Sequence, residues 1–154
     1  MSAPMTEADI IKALEKRHQK DIFVSHCKTG PSWLSNPLIF DAWAMPRSWV
    51  KPIIGYEIKT SVQDYARDRK WRGYLHYCHK FYFVCPAGLL TKQQVFYEEA
   101  GLIYVYPDSL CVRVQKHAPF LRCNIPSEIY EYILMWRACG IKERGNDNGY
   151  TDDR

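Results

Sequence analysis

The sequence predicts an α/β domain in which a mixed β-sheet is flanked by helices. Segments with the apolar spacing of strands alternate along the chain with segments that have the spacing of helices. The segment KFYFVCP, residues 80–86, is continuously apolar. Such a run is typical of a central strand that is covered on both faces, as in a parallel or mixed sheet.

The elements follow in the order helix, three strands, helix, strand, short helix, two strands and helix. Thr6 can cap the first helix, whose apolar stripe falls on Ile10, Ile11 and Leu14. The three strands are predicted at DIFVSHC, LIFDAWAM and IIGYEIK.

Alternation along the second and third of these strands assigns side chains to faces. In LIFDAWAM, Phe40 shares a face with Ala42 and Ala44. In IIGYEIK, Glu57 and Lys59 share a face.

The second half of the chain continues the alternation of helices and strands. Ser61 is the predicted cap of a helix that runs to about Trp71, near Gly73. After KFYFVCP, the segment TKQQVFYEEAG predicts a short helix ending at Gly101, and LIYVYP and CVRVQ predict two strands. PSEIYEYILMWRACG is the last helix, with Ser127 as its cap.

Length and composition indicate one globular domain, residues 1–141, followed by a polar tail, 142–154, that we expect to be flexible. The chain has 154 residues, of which 47% are hydrophobic, so it can build a core without disulfides. Its six cysteines form no C-x-x-C pair, and the N-terminus lacks the apolar core of a signal peptide. We therefore expect a cytoplasmic protein with reduced thiols and no membrane partner.

Three charged residues on two neighbouring predicted strands suggest a metal site. If the two strands pair, Asp41 lies beside Glu57, and Mg²⁺ would relieve the repulsion between their carboxylates. The backbone carbonyl of Ile58 could supply a further oxygen ligand. Lys59 would stand next to a metal-bound water or steady charge on a phosphate.

The spacing Asp-x15-Glu-x-Lys, followed by a helix, resembles that of the PD-(D/E)XK nuclease superfamily. The segments FDAWAM, GYEIKTSVQDYARDRKW and YCHKFYFVCPAGLL resemble, in this order, the MmcB-like family of predicted DNA-repair nucleases. This resemblance covers about residues 37 to 120 and implies a restriction-endonuclease-like core. Phe40 stands in place of the proline of the superfamily's motif, a residue that is often missing from its members.

The resemblance implies roles for single residues. Asp41 and Glu57 match the metal-binding acids, and Lys59 matches the catalytic lysine. Related nucleases often carry a further glutamate on the first helix, for which Glu7 fits best by its place ahead of IIKAL, with Glu15 as the alternative.

The function implied is hydrolysis of DNA phosphodiester bonds with Mg²⁺ or Mn²⁺, in DNA repair or phage-type DNA metabolism. The predicted helix that runs from Ser61 to about Trp71 is rich in basic residues and would lie along the DNA backbone. Each phosphate that it neutralises would make binding more sensitive to salt. Trp71 would either pack inside the domain or stack on an exposed base. The expected DNA-binding residues are Ser61, Gln63, Arg67, Arg69, Lys70 and Arg72.

Other interpretations stay open from the sequence. A bare Glu-x-Lys is common on half-exposed strands, and the basic residues could form an ordinary solvated helix face. The alternative function is a DNA-binding or protein-binding module on the same fold with a weak or lost active site, and a third is an RNA-directed nuclease. A homodimer or a DNA-targeting protein partner is also compatible with the sequence.

Overall fold

Six strands form one mixed sheet in the computed structural model, which describes residues 3–31, 36–48, 50 and 52–138. The order of the strands in the sheet is their order in the chain. The strands are β1 (Ile22–Lys28), β2 (Ile39–Met45), β3 (Ile54–Ile58), β4 (Lys80–Pro86), β5 (Ala100–Val105) and β6 (Val112–Lys116). The predicted α/β class with a mixed sheet is therefore confirmed.

The directions of the strands bring the beginning of β2 and the end of β3 to the same end of the sheet. β1, β2 and β3 form an antiparallel meander, β3, β4 and β5 are parallel, and β6 is antiparallel to β5. Because β2 runs against β3, the beginning of β2 lies beside the end of β3. This is the place where Asp41 was predicted to lie beside Glu57.

Helices cover both faces of the sheet. On one face lies α1 (Glu7–Arg17), whose Ile10 and Leu14 pack with Tyr56 of β3. On the other face lie α2 (Val62–Arg67), a 3-10 helix (Trp71–His76) and α3 (Ser127–Ala138), and Trp71 and Ile129 are buried in that core. β4 contributes side chains to both cores, as its continuous apolar sequence predicts.

The cap predicted for α1 is confirmed in detail. The Thr6 hydroxyl accepts the backbone N–H of Asp9 at 3.2 Å, and the Asp9 carboxylate accepts the Thr6 N–H at 2.9 Å. This capping box satisfies two N–H groups that have no partner within the helix. It fixes the end of α1 that carries Glu7.

The prediction of one helix from Ser61 to Trp71 is wrong. α2 ends at Arg67, Asp68 has an extended backbone, and the 3-10 helix starts at Trp71. The Asp68 carboxylate accepts the backbone N–H groups of Lys70 and Trp71 at 2.9 and 3.2 Å. Aspartate side chains that bond nearby N–H groups in this way compete with helix formation.

The predicted short helix at TKQQVFYEEAG is also wrong, because this segment forms turns that connect the parallel strands β4 and β5. Thr91 and Gln94 bond each other's backbone N–H groups through their side chains. The Lys116 ammonium donates to the backbone carbonyls of Val95 and Tyr97 at 2.8 and 2.5 Å. These side-chain bonds satisfy backbone groups of the segment and so stabilise its irregular conformation.

The alternation predicted for β2 fails at its beginning. Phe40 packs in the same core as Trp43, whereas Ala42 and Ala44 pack in the core on the other face. On the neighbouring strand, His26 has a φ of 49°, in the left-handed region. This local departure from extended geometry accompanies the exchange of faces, since regular strands keep a period of two.

The polar tail predicted at residues 142–154 lies outside the described residues. The five cysteines within the described ranges are thiols rather than disulfides. Among the described helices, none combines the length and the apolar character that crossing a membrane requires.

Gly55 of β3 should tolerate no side chain. A Cβ at this position would lie 2.4 Å from Cε1 of the buried Phe40 ring and 3.1 Å from the Cys78 sulfur. We expect Gly55→Ala to lower the free energy of unfolding by about 2 kcal/mol, measured by urea denaturation, because overpacking a rigid core is costly. Gly73→Ala is the matched control, since its Cβ would meet only the flexible end of Leu38, and an equal loss in both variants would contradict this explanation.

Candidate active site

A cleft of about 360 Å³ opens at the end of β3. It is lined by all three residues predicted to be catalytic, Asp41, Glu57 and Lys59, and by Ile58 between them. Glu7 of α1 also lines it. The fold thus gathers into one cleft side chains that are far apart in the sequence.

Asp41 and Glu57 are neighbours because of the pairing of β2 with β3. Ala42 lies opposite Tyr56, so the next residue toward the cleft on each strand is one of the two acids. The Asp41 carboxylate accepts the backbone N–H of Ile58 at 2.7 Å. This bond ties the acid of β2 to the end of β3.

Glu57 carries an oxygen atom without a partner. Its Oε2 is buried and accepts no hydrogen bond from the described residues, while Oε1 lies 3.7 Å from the Lys59 ammonium. Leaving a buried polar atom unpaired costs about 1–3 kcal/mol. A proton shared with the Asp41 carboxyl group would satisfy this atom in the metal-free protein, and a divalent cation in the cleft would satisfy it in place of that proton, so the residues present fit the metal that the sequence pattern implies.

Both carboxyl groups hold protons more tightly than usual. Burial raises the pKa of Glu57, and the charge of Asp41 raises it further. Burial also raises the pKa of Asp41, which the N–H of Ile58 partly offsets and the charge of Glu7 reinforces. A bound cation favours the ionised forms, so metal binding should compete with protons at both residues.

Lys59 is a buried cation held by two carboxylates. Its Nζ lies 2.6 Å from Asp68 and 3.7 Å from Glu57, and its side chain is 8% exposed. Its backbone N–H donates to the Val84 carbonyl, which extends the pairing of β3 with β4 by one residue. The ammonium is therefore fixed at the edge of the cleft.

Asp68 is a site residue that sequence analysis missed, because it stands among basic residues in a segment predicted to be one helix. One of its oxygens contacts Lys59 and the other caps the turn before Trp71. Its role depends on the end of α2 at Arg67, which no spacing in the sequence indicated.

Replacing Asp68 by asparagine tests this buried contact. Asparagine keeps a carbonyl oxygen for the turn but removes the charge that faces Lys59. We expect the free energy of unfolding to fall by about 3 kcal/mol, since removing one partner leaves a buried charge poorly compensated. Asp64→Asn, an exposed acid of the same segment, is the matched control, and chemical denaturation giving the same loss for both variants would contradict this account.

Of the two first-helix glutamates considered, the structure brings Glu7 to the cleft. Its carboxylate, the Asp41 carboxylate and the His26 imidazole have ligand atoms that all lie within 4.8 Å of one another. Glu15 is exposed and does not line the cleft. His26 was not predicted, because its place opposite Asp41 follows only from the register of β1 with β2.

The predicted DNA-binding residues differ in where they lie relative to the cleft. Arg67 and Lys70 line the cleft. Arg69 and Gln63 are exposed and are close to Arg67 and Lys70 in the sequence. The Ser61 hydroxyl accepts a backbone N–H as the cap of α2. Arg67 and Lys70 are therefore placed best to meet a bound phosphate.

Trp71 is part of the core, and the exposed Arg72 contacts its neighbours on the surface. The Arg72 guanidinium lies 2.7 Å from the Glu99 carboxylate and 4.6 Å from the centre of the Trp71 ring. Trp71 is 5% exposed and stacks on Phe81. Of the two roles considered for Trp71, packing inside the domain is the one that the structure supports.

Comparison with known proteins supports the family suggested by the sequence. The sequence profile of the DNA repair protein MmcB-like family matches residues 45–127, which include Glu57, Lys59 and Asp68 and begin at the last residue of β2. A solved structure of a protein of unknown function from Silicibacter pomeroyi is similar, with a TM-score of 0.62 and 18% identity over 91% of this chain and 87% of that chain. That similarity concerns the fold alone, and no curated protein matches the chain. Because the matched range spans more than half of the sequence, the chain belongs to the MmcB-like family of DNA repair proteins.

Proposed function

We propose that this protein is a divalent-metal-dependent nuclease that hydrolyses DNA phosphodiester bonds in DNA repair. One observation carries the proposal: Glu57 presents a buried, unpartnered oxygen beside Asp41 and a fixed lysine in an open cleft. Two acids and a lysine on paired strands are also the pattern of the PD-(D/E)XK superfamily. The family's role in DNA repair makes DNA the expected substrate.

Asp41, Glu57 and Glu7 are the residues that would hold the cation, with the Ile58 carbonyl as a further oxygen ligand. When bound, the cation would lower the pKa of a water molecule and polarise the scissile phosphate. The chain's own contribution is the geometry of its acids. They are fixed by strand pairing, by the Ile58 N–H and by the capped end of α1.

Lys59 would stabilise negative charge that develops on the phosphate. Its ammonium is already held by Asp68, so it needs little reorganisation when the substrate binds. Fixed charges of this kind are effective in catalysis because their orientation is established before the reaction. Asp68 acts through Lys59 and is a positioning residue.

Arg67 and Lys70 would guide the DNA backbone into the cleft. We expect Arg67→Gln and Lys70→Gln each to reduce the salt dependence of DNA affinity by about one unit of slope. Arg72→Gln should change this slope less, because Arg72 is already paired with Glu99. Binding curves at several salt concentrations measure the slopes, and a larger effect for Arg72 than for Lys70 would contradict the assignment.

A cleavage assay tests the proposed function. Labelled single-stranded, duplex and branched DNA, together with RNA of the same sequence, would be incubated in Mg²⁺ or Mn²⁺, with EDTA as the metal-free control. We expect metal-dependent cutting of DNA. Salt-sensitive DNA binding without cutting of any substrate would instead support a binding module with a lost active site, and cutting of RNA alone would identify an RNA-directed nuclease.

A further inference from the structure

The ligands around Asp41 are of two chemical kinds. Glu7 and Asp41 offer oxygen, whereas His26 offers a ring nitrogen, and all three ligand atoms lie within 4.8 Å of one another. Atoms bound to one ion at roughly 2.1 Å each are at most about 4 Å apart, so small side-chain movements would close this site. The three residues come from α1, β1 and β2, which the fold holds together.

The position of His26 is set by the two strands. Ser25 pairs with Ala42 and Cys27 pairs with Phe40, so His26 lies opposite Asp41. His26 has a φ of 49°, which is unfavourable for a residue with a Cβ atom. The chain therefore keeps a histidine in a left-handed conformation beside the acid that we assign to the metal.

Histidine changes which metal the site should select. Mg²⁺ prefers oxygen ligands and retains several waters, while imidazole favours divalent transition-metal ions. Glu57, whose buried Oε2 accepts no hydrogen bond from the described residues, lines the same cleft as Glu7 and Asp41. Among the described residues, the available donors are thus the imidazole nitrogen of His26 and carboxylate oxygens of Glu7, Asp41 and Glu57.

From this donor set we infer that the site is built for a divalent transition-metal ion rather than for Mg²⁺, with the imidazole of His26 as a ligand. The inference rests on the proposed function, because it concerns the same cleft, and it narrows the identity of the cation. The inference also gives β1 a role in the site, whereas the sequence pattern placed no site residue on this strand.

Manganese binding, with Mn²⁺ as the probe, tests this inference without measuring catalysis. The informative variant is His26→Gly, because glycine adopts the left-handed conformation without strain. The matched control is His117→Ala, which removes an exposed histidine just after β6. Thermal denaturation of all three proteins without metal would establish that each variant is folded.

We expect pulsed electron paramagnetic resonance of the Mn²⁺ complex to show nitrogen hyperfine coupling from imidazole. The coupling should be present in wild type and His117→Ala and absent in His26→Gly. Titration calorimetry should show that the ratio of Mn²⁺ to Mg²⁺ affinity falls by about tenfold in His26→Gly and is unchanged in the control.

The outcomes separate the inference from the proposed function. Wild type without nitrogen coupling, or a His26→Gly variant that keeps the coupling and the affinity ratio, would overturn the inference. If Mn²⁺ binding were still lost in Asp41→Asn and Glu57→Gln, the proposed metal site would stand without His26. A protein that binds neither metal would overturn both.

Discussion

Replacing Glu57 by glutamine is expected to abolish DNA cleavage and, at the same time, to stabilise the metal-free protein at about pH 8. The two effects have one cause. Glu57 is a largely buried carboxyl group beside Asp41, with one oxygen that accepts no hydrogen bond, so its ionised form is costly unless a cation is bound. Glutamine removes the charge at nearly constant size.

The pH dependence of stability has a definite sign. The pKa of Glu57 is raised in the folded protein, chiefly by burial, so the folded state binds this proton more tightly than the unfolded state. Stability is therefore greatest below the ordinary carboxyl pKa and is lost as the pH rises through the raised value. In that window the metal-free wild type should lose up to about 1.4 kcal/mol for each pH unit, and Glu57→Gln should lose less.

Urea denaturation between about pH 5 and pH 9, with and without divalent metal, measures this difference. Metal should stabilise the wild type most at the upper end of the range, since ionised carboxylates bind it, and should not stabilise Glu57→Gln to the same extent. Asp64→Asn, an exposed acid lining the same cleft, should behave as wild type. A wild-type stability that rises across this window and that Glu57→Gln lowers would contradict our description of the site.

Replacing Lys59 by methionine is expected to reduce the rate of cleavage by about 10²–10³-fold while metal still binds. Methionine fills a similar volume but cannot stabilise charge on the phosphate. The ion pairs of Lys59 with described residues are those with Asp68 and Glu57, so removing the ammonium leaves the other two acids that we assign to the metal, Asp41 and Glu7, in place. The defect should therefore appear in the rate of the chemical step at saturating metal.

Lys70→Met is the control for this variant, because Lys70 is exposed yet lines the same cleft. We expect it to weaken DNA binding and to leave the single-turnover rate at saturating enzyme within about threefold of wild type. If the Lys59 variant lost metal affinity in calorimetry, or if both lysine variants lost the same rate, Lys59 would have no distinct role in the reaction.

Much of the fold follows from local sequence patterns. Short apolar segments, alternating or, in β4, continuous, indicate the strands, and the capping residues give the starts of α1 and α2. The pairing of Asp41 with Glu57 was also predictable, because consecutive strands with a short connection usually pair. The order of the three charged residues along these strands then pointed to one edge of the sheet.

The parts of the site that the sequence did not reveal depend on long-range geometry. His26 comes close to Asp41 and Glu7 because of its register against β2, and a shift of one residue in register would move it to the other face. Asp68 reaches Lys59 because α2 ends at Arg67. The same carboxylate accepts a backbone N–H of the turn that follows. Local periodicity carries no information about either relationship.

The most direct test of the central claim is a single-turnover measurement of DNA cleavage by wild type and Lys59→Met, purified identically and saturated with Mn²⁺. Our account predicts metal-dependent cleavage by wild type that EDTA stops and that the variant lacks, although the variant still binds both metal and DNA. Equal cleavage by the two proteins would show that the activity does not arise in this cleft. Absence of cleavage by wild type on every substrate, with metal bound, would show that the cleft is not a nuclease site.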